Sequence, residues 1–285
     1  AELRAGAADV ARDLSRSELA SLGGVPTLDI ASAPGLELTY LGLNLSHPPL
    51  DREEVRRAIA MSLDRAAIAG GVYAGEALPA AQFLLPGTLG HDPTVLEFQK
   101  IDRVAAKKLL ADAGLFGITL DLHFPAAPSV QYPDPRRVAE SLAADLAQIG
   151  IAVTVRPLDP ATLRREARAD SLALWLGSWT GRSGDPDECL AAMFAPRLTG
   201  GVEGPAEGSA WVNPPAWELL RRARTEIDES KRTELYKQVS KIVQREVPRI
   251  PLFHIGLPTA TSRKIRGFAP HPTGIESLAA VSLER

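Results

Sequence analysis

Ile118-Thr119-Leu120-Asp121-Leu122-His123 alternates apolar and polar side chains, the period of a strand with one buried face. After a loop from Pro125 to Pro135, Val138, Leu142, Leu146 and Ile149 recur at helical spacing, and Gly150 ends that pattern. Ile151, Val153 and Val155 alternate again, and a short helix is expected near Leu163. Leu172-Ala173-Leu174-Trp175-Leu176 is then a continuous apolar run, suited to a strand covered on both faces. Strand, helix, strand, helix, strand in that order predicts an α/β layer.

Working outward toward the N-terminus, Asp102 is placed to cap a helix through Leu109 and Leu110, closed by Gly114. Leu28-Asp29-Ile30 leads through Pro34-Gly35 into an alternating strand from Leu36 to Leu45. Asp51, with Glu54 three residues on, reads as a capping box that opens one helix carrying Val55, Ile59, Leu63 and Ile68, stopped at Gly70-Gly71. A loop rich in Pro and Gly follows from Leu78 to Pro93. Toward the C-terminus come a loop from Gly177 to Asp187, a helix around Leu190 to Phe194, and a Gly-rich insert from Thr199 to Ser209. Helices are expected from Pro215 to about Ile227 and from Ser230 to Glu246. Ile250-Pro251-Leu252-Phe253-His254 and a polar strand region around Thr259 to Arg266 close the series.

Composition narrows the function classes. Apolar residues make up 45% of the 285, which is globular and excludes wholesale disorder. With 32 basic against 35 acidic residues the net charge is −3, so the basic face that a nucleic-acid binder needs is not expected. There is no apolar run of about 18 residues to span a membrane. The opening Ala1-Glu2-Leu3-Arg4 has neither an initiator Met nor a basic and apolar leader. The expectation is therefore a signal removed upstream or a fragment of a longer chain.

Catalytic and metal chemistry find little support in the residue pattern. His47, His91, His123, His254 and His271 are scattered, and none is paired at the spacing of a zinc helix. Cys189 reads as a buried small apolar side chain. Gly177-Ser178-Trp179-Thr180-Gly181 is not a nucleophile elbow, because Trp follows the serine. Asp185, Asp187 and Glu188 lack the ligands of a calcium loop; Asp185 before Pro186 reads instead as a helix N-cap with acids in the first turn. The mixed charges Arg221, Arg222, Arg224, Glu226, Asp228, Glu229, Lys231 and Arg232 read as a solvated helix surface. The loop Trp179-Thr180-Gly181-Arg182-Ser183-Gly184-Asp185-Pro186 stands out, since it leaves a buried strand and enters a helix. That is where open α/β sheets place ligands, and its glycines suggest backbone donors offered at close approach.

The chain resembles the C-terminal portion of periplasmic dipeptide- and oligopeptide-binding proteins, the family 5 solute receptors of ABC importers. The resemblance rests on Leu-Arg-Ala-Gly-Ala-Ala-Asp-Val at 3–10, Pro-Gly-Leu-Glu-Leu-Thr-Tyr-Leu-Gly-Leu-Asn at 34–44 and Pro-Leu-Asp-Arg-Glu-Glu-Val-Arg-Arg-Ala-Ile-Ala at 49–60. Ala-Lys-Lys-Leu-Leu-Ala-Asp-Ala-Gly at 106–114, Gly-Ser-Trp-Thr-Gly-Arg-Ser-Gly-Asp-Pro-Asp at 177–187 and Lys-Arg-Thr-Glu-Leu-Tyr at 231–236 complete it, in the family's order. It implies a lobe of the type II periplasmic-binding-protein-like fold, a mixed β-sheet flanked by helices. Residues 34–267 would form the substrate-binding lobe, with 1–33 and 268–285 crossing to a first lobe that carries the signal or lipid anchor.

The same resemblance implies capture of a peptide or peptide-like solute outside the cytoplasm for ABC permease subunits, without catalysis and without a cofactor. A sensor for signalling, or a receptor for an oligosaccharide or a metal chelate, is the alternative. Ligand contacts are implied at Trp179, Thr180, Gly181, Arg182 and Asp185, with Ser129 and Gln131 in the loop before the 138–149 helix. In peptide-binding relatives the motif after the strand is Trp-x-x-Asp, whose acid pairs with the peptide amine. Here Arg182 holds that place, which implies an anionic or acceptor-rich group of the ligand facing this loop.

Overall fold

The computed structural model describes residues 2–12, 14, 16–73, 76–96, 100–196, 211–273 and 276–284. The Gly-rich insert expected from Thr199 to Ser209 lies outside the described residues. Two short elements, α1 (Glu2–Ala5) and β1 (Val10–Ala11), precede α2 (Arg16–Leu22) and the long strand β2 (Leu28–Leu43). Helices α3 (Glu53–Ser62) and α4 (Arg65–Ile68) lead through a wide π turn at Ala69–Tyr73 to β3 (Ala77–Pro79). The α/β layer follows: α5 (Arg103–Asp112), β4 (Ile118–Pro125), α6 (Pro135–Ala147), β5 (Ile151–Leu158), α7 (Pro160–Arg168) and β6 (Leu174–Thr180). Helices α8 (Pro186–Phe194), α9 (Pro214–Thr225) and α10 (Glu229–Glu246) then pass to β7 (Arg249–Ser262), β8 (Ile265–Arg266) and β9 (Ser282–Leu283).

Seven strands form one mixed sheet in the order β1-β7-β2-β6-β4-β5, with β3 also paired to β7. β4 runs parallel to both β5 and β6, whereas β2 is antiparallel to β6 and β7. One face packs on α3, α5 and α6 through Leu41, Leu43, Leu122, Leu174, Leu142 and Ile59. The other packs on α8, α9 and α10 through Leu38, Tyr40, Leu190, Leu220 and Val239. The α/β layer expected from the sequence is present, and Asp102, Asp134, Asp159 and Asp185 each accept from an amide in the first turn of the following helix.

Five boundaries differ from the sequence reading. Asp51 caps nothing: its carbonyl accepts from Arg56 Nη1, Arg52 turns back onto Pro49, and α3 starts at Glu53 without a side-chain cap. The single helix expected from Asp51 to Gly70 is two, because the Asp64 carboxylate takes the Ala67 amide and starts α4 anew. Gly70-Gly71 lies inside the π turn rather than ending a helix. β2 and β7 are longer than their alternating cores, since Leu28 to Ala33 pair with Leu257 to Ser262 beyond a register shift between Pro34 and Glu37. β6 runs to Thr180 because Glu37, Leu38 and Thr39 of β2 pair with Thr180, Trp179 and Ser178.

Candidate functional site

β4 and β6 are parallel neighbours, yet the chain leaves their carboxyl ends toward opposite faces of the sheet. Loop 126–134 turns to α6, whose Val138, Leu142 and Leu146 cover the face bearing Leu120, Leu122, Leu174 and Leu176. Loop 181–185 turns to α8, whose Cys189, Leu190 and Met193 cover the face bearing Leu38 and Tyr40. Such divergence at adjacent strands opens a crevice at the carboxyl edge, the usual ligand position in an open α/β sheet.

Glu37, directly opposite Thr180 across the β2–β6 pair, sits at this edge. Its Oε2 accepts from Gln131 Nε2 at 2.6 Å and from Thr180 Oγ1 at 2.8 Å. One carboxylate thus joins the loop after β4, the last residue of β6 and strand β2. Gln131 is fixed from behind as well, its carbonyl accepting from the Tyr73 hydroxyl at 2.9 Å. Tyr132 next to it is buried and donates its hydroxyl to the Gly177 carbonyl at 2.7 Å. Two of the expected site residues, Gln131 and Thr180, are therefore brought together, by an acid that the sequence reading left out. Its only local signal is a polar position in an alternating strand, which every solvated strand face also shows.

Trp179 and Thr180 belong to strand β6, not to the loop that follows. Trp179 points to the opposite sheet face from Thr180 and packs half-buried against the core under α8 and α10. A Cβ on Gly181 would come within 2.6 Å of Trp179 Cη2 and 2.8 Å of Leu36 Cβ. Glycine is what lets the indole lie across the chain here. The expectation that loop 181–185 offers backbone donors to a ligand is corrected for four of its residues, because the amides of 181, 182, 183 and 185 are spent inside the protein. Gly181 N–H donates to the Leu36 carbonyl at 3.0 Å. The Arg182 and Ser183 amides and the Ser183 hydroxyl all donate to the Glu188 carboxylate, at 2.7–3.1 Å. Burial alone would raise the Glu188 carboxyl, but these donors outweigh it and hold it below the ordinary carboxylate value.

Asp185 is the N-cap of α8, accepting from the Asp187 amide at 2.8 Å, as its position before Pro186 implies. Both its oxygens are also engaged by the Arg232 guanidinium, at 2.9 Å each. Burial would raise its carboxyl; the Arg232 hydrogen bonds and the Asp187 amide prevail and lower it. Arg232 is accordingly no solvated surface charge: its side chain is 22% exposed, and its guanidinium lies 5.2 Å from the Tyr236 ring centroid. Ser129 likewise serves its own loop, its Oγ accepting from the Tyr132 amide at 3.1 Å. The Arg182 side chain is exposed, and its guanidinium makes no hydrogen bond among the described residues.

Beneath the loop, on the α8 side, Leu36, Leu38, Trp179, Cys189 and His254 line a pocket of about 20 Å³, too small for a ligand side chain. Cys189 is buried there as expected, and burial raises its thiol. Burial also pushes His254 down to about 4, against a hydrogen bond from its ring to the Gln82 backbone that favours the charged form. His254 is thus a neutral imidazole in the core.

The fold defines the class: one lobe of a type II periplasmic-binding-protein-like structure. The family model for bacterial extracellular solute-binding proteins, family 5 Middle, matches residues 1–200, and the chain belongs to that family. A dipeptide-binding protein of Pseudomonas aeruginosa is 29% identical over 272 residues, covering 95% of this chain and 50% of that protein. The structure of HbpA2 from Haemophilus parasuis superposes with a TM-score of 0.89 at 30% identity, covering all of this chain and 55% of that one. A dipeptide-binding protein from Pseudoalteromonas, solved in complex with Met-Leu, gives a TM-score of 0.77 at 25% identity over 99% of this chain and 55% of its own. The chain spans about half the length of the curated relatives it matches.

Proposed function

We propose that this chain is the ligand-closing second lobe of an extracytoplasmic receptor that captures peptides for an ABC importer. Residues 34–267 form the lobe, and 1–33 and 268–285 cross toward a first lobe. The observation that carries the reading is the crevice where β4 and β6 part, with Glu37, Gln131 and Thr180 hydrogen-bonded across three elements at its rim. Fixed polar groups at a sheet edge suit reversible capture between two lobes. Arg182, exposed at the loop start, supplies a planar fork of donors for a carboxylate or another acceptor-rich group of the ligand. Permease subunits are the partners, and the periplasm or cell envelope is the location, on the strength of the family.

Calorimetric titration of the full-length receptor with a panel of di- and tripeptides tests the reading. A Kd at or below about 10 μM for at least one peptide is expected. Absence of heat for every peptide, with a non-peptide solute carried through purification and seen by native mass spectrometry, would overturn it.

A further inference from the structure

Glu37 is held, oriented and left unneutralised. Both of its hydrogen bonds fall on Oε2, and both come from neutral donors, Gln131 Nε2 at 2.6 Å and Thr180 Oγ1 at 2.8 Å. Among the described residues no cation pairs with it, and its Oε1 has no hydrogen-bond donor. A carboxylate accepts about four hydrogen bonds in full, so half of its capacity is uncommitted. The side chain is partly withdrawn from water, where an unpaired charge is costly and a cationic partner gains most. The neighbouring carboxylates differ: Asp185 is closed by Arg232, and Glu188 by the Arg182 and Ser183 amides. Glu37 is the acid at this edge whose remaining oxygen is still open to a ligand.

We propose that Glu37 is the ammonium-binding residue of this receptor, taking a primary amine of the ligand on Oε1 while Gln131 and Thr180 hold the carboxylate in place. This rests on the peptide-capture reading and adds to it a ligand class: peptides with a free amino group. An ammonium brings three donors and no acceptor, and a charge-assisted bond at 2.7–2.9 Å is the geometry a single open carboxylate oxygen takes. Gln131 and Thr180 act as positioning residues. They carry no charge, so they fix Glu37 without competing for the cation. The Tyr73 hydroxyl on the Gln131 carbonyl and the β2–β6 pairing of Glu37 with Thr180 make the arrangement rigid before ligand arrives.

The experiment uses the full-length receptor with Met-Leu and N-acetyl-Met-Leu as probes, each titrated into wild type and Glu37→Gln. Acetylation removes the ammonium and keeps the rest of the ligand, and Gln keeps the shape of Glu and an oxygen for Thr180. Wild type is expected to bind Met-Leu at least tenfold tighter than its acetylated form, and Glu37→Gln to bind the two within threefold of each other. A role of Glu37 confined to holding the loop would weaken both probes equally, so the loss of discrimination is what a structural role cannot produce. Should wild type bind the two probes alike, or Glu37→Gln keep the full preference, the assignment is overturned while peptide capture stands. Should neither probe bind wild type, the assignment and the peptide reading fall together. Because the wild-type comparison needs no variant, it stands even if Glu37→Gln folds poorly.

Discussion

Arg232 of α10 sets two guanidinium nitrogens on the Asp185 carboxylate, Nη1 to Oδ2 and Nη2 to Oδ1, both at 2.9 Å. The same carboxylate caps α8 through the Asp187 amide. One side chain therefore starts the helix after loop 181–185 and ties it to a second helix. Asp185→Ala should cost about 2 kcal/mol, about half from the lost cap and the rest from a partly exposed bidentate pair. Asp185→Asn keeps a capping oxygen and should cost about 1 kcal/mol or less. Urea unfolding of the two variants measures the difference; equal losses would mean that the cap contributes nothing.

Glu188 closes loop 181–185 by accepting the amides of Arg182 and Ser183. Glu188→Ala should free those two amides, raising their hydrogen-exchange rates by about tenfold or more, while amides at the centre of the sheet change little. Unchanged exchange at 182 and 183 would mean that the loop holds its shape without this side chain.

Gly181→Ala places a methyl group 2.6 Å from the Trp179 ring and 2.8 Å from Leu36 Cβ. The indole must move, at about 1–3 kcal/mol of overpacking. A fall in thermal stability with a shift of the tryptophan emission is expected. Neither change would show that the ring has another low-energy seat.

His254 is 3% exposed and its imidazole is pushed down to about 4, against about 6.5 in an unfolded chain. Between those values the unfolded state binds the proton and the folded state does not, so stability must rise with pH across this window. The contribution is fully present above pH ~6.5, falls as pH drops, and levels off below pH ~4, with a total on the order of 3 kcal/mol. Denaturation midpoints from pH 4 to 7 test this, with His254→Leu expected to flatten the slope. An equal slope in the variant would assign the pH dependence to other groups.

The layered part of the fold was readable because each signal was local. The alternation at Ile118 to His123, the helical repeat from Val138, and the aspartates at 102 and 185 all act within a few residues of themselves. Where the reading stopped short, pairing partners from far along the chain decided the outcome. β6 continues to Thr180 because β2 lies beside it, and β2 begins at Leu28 because β7 offers Ser262. The site followed the same division. Asp185 could be recognised as a cap from the proline after it, whereas Arg232 sits in a charged stretch and reveals its carboxylate partner only in three dimensions. Glu37 had no local mark at all, since its partners Gln131 and Thr180 are 94 and 143 residues away.

If the ligand is enclosed between two lobes, this chain by itself holds only part of the contact surface. The 285-residue chain alone should bind the receptor's best peptide at least about a hundredfold more weakly than the full-length receptor, some 3 kcal/mol. Calorimetry on both forms measures it, and equal affinities would refute enclosure.

The most direct measurement is a crystal structure of the full-length receptor grown with Met-Leu. The account predicts the peptide in the crevice between loops 126–134 and 181–185, with its amine about 3 Å from Glu37 Oε1. A peptide bound on the far side of loop 181–185, among Arg224, Glu226 and Glu229, would contradict it.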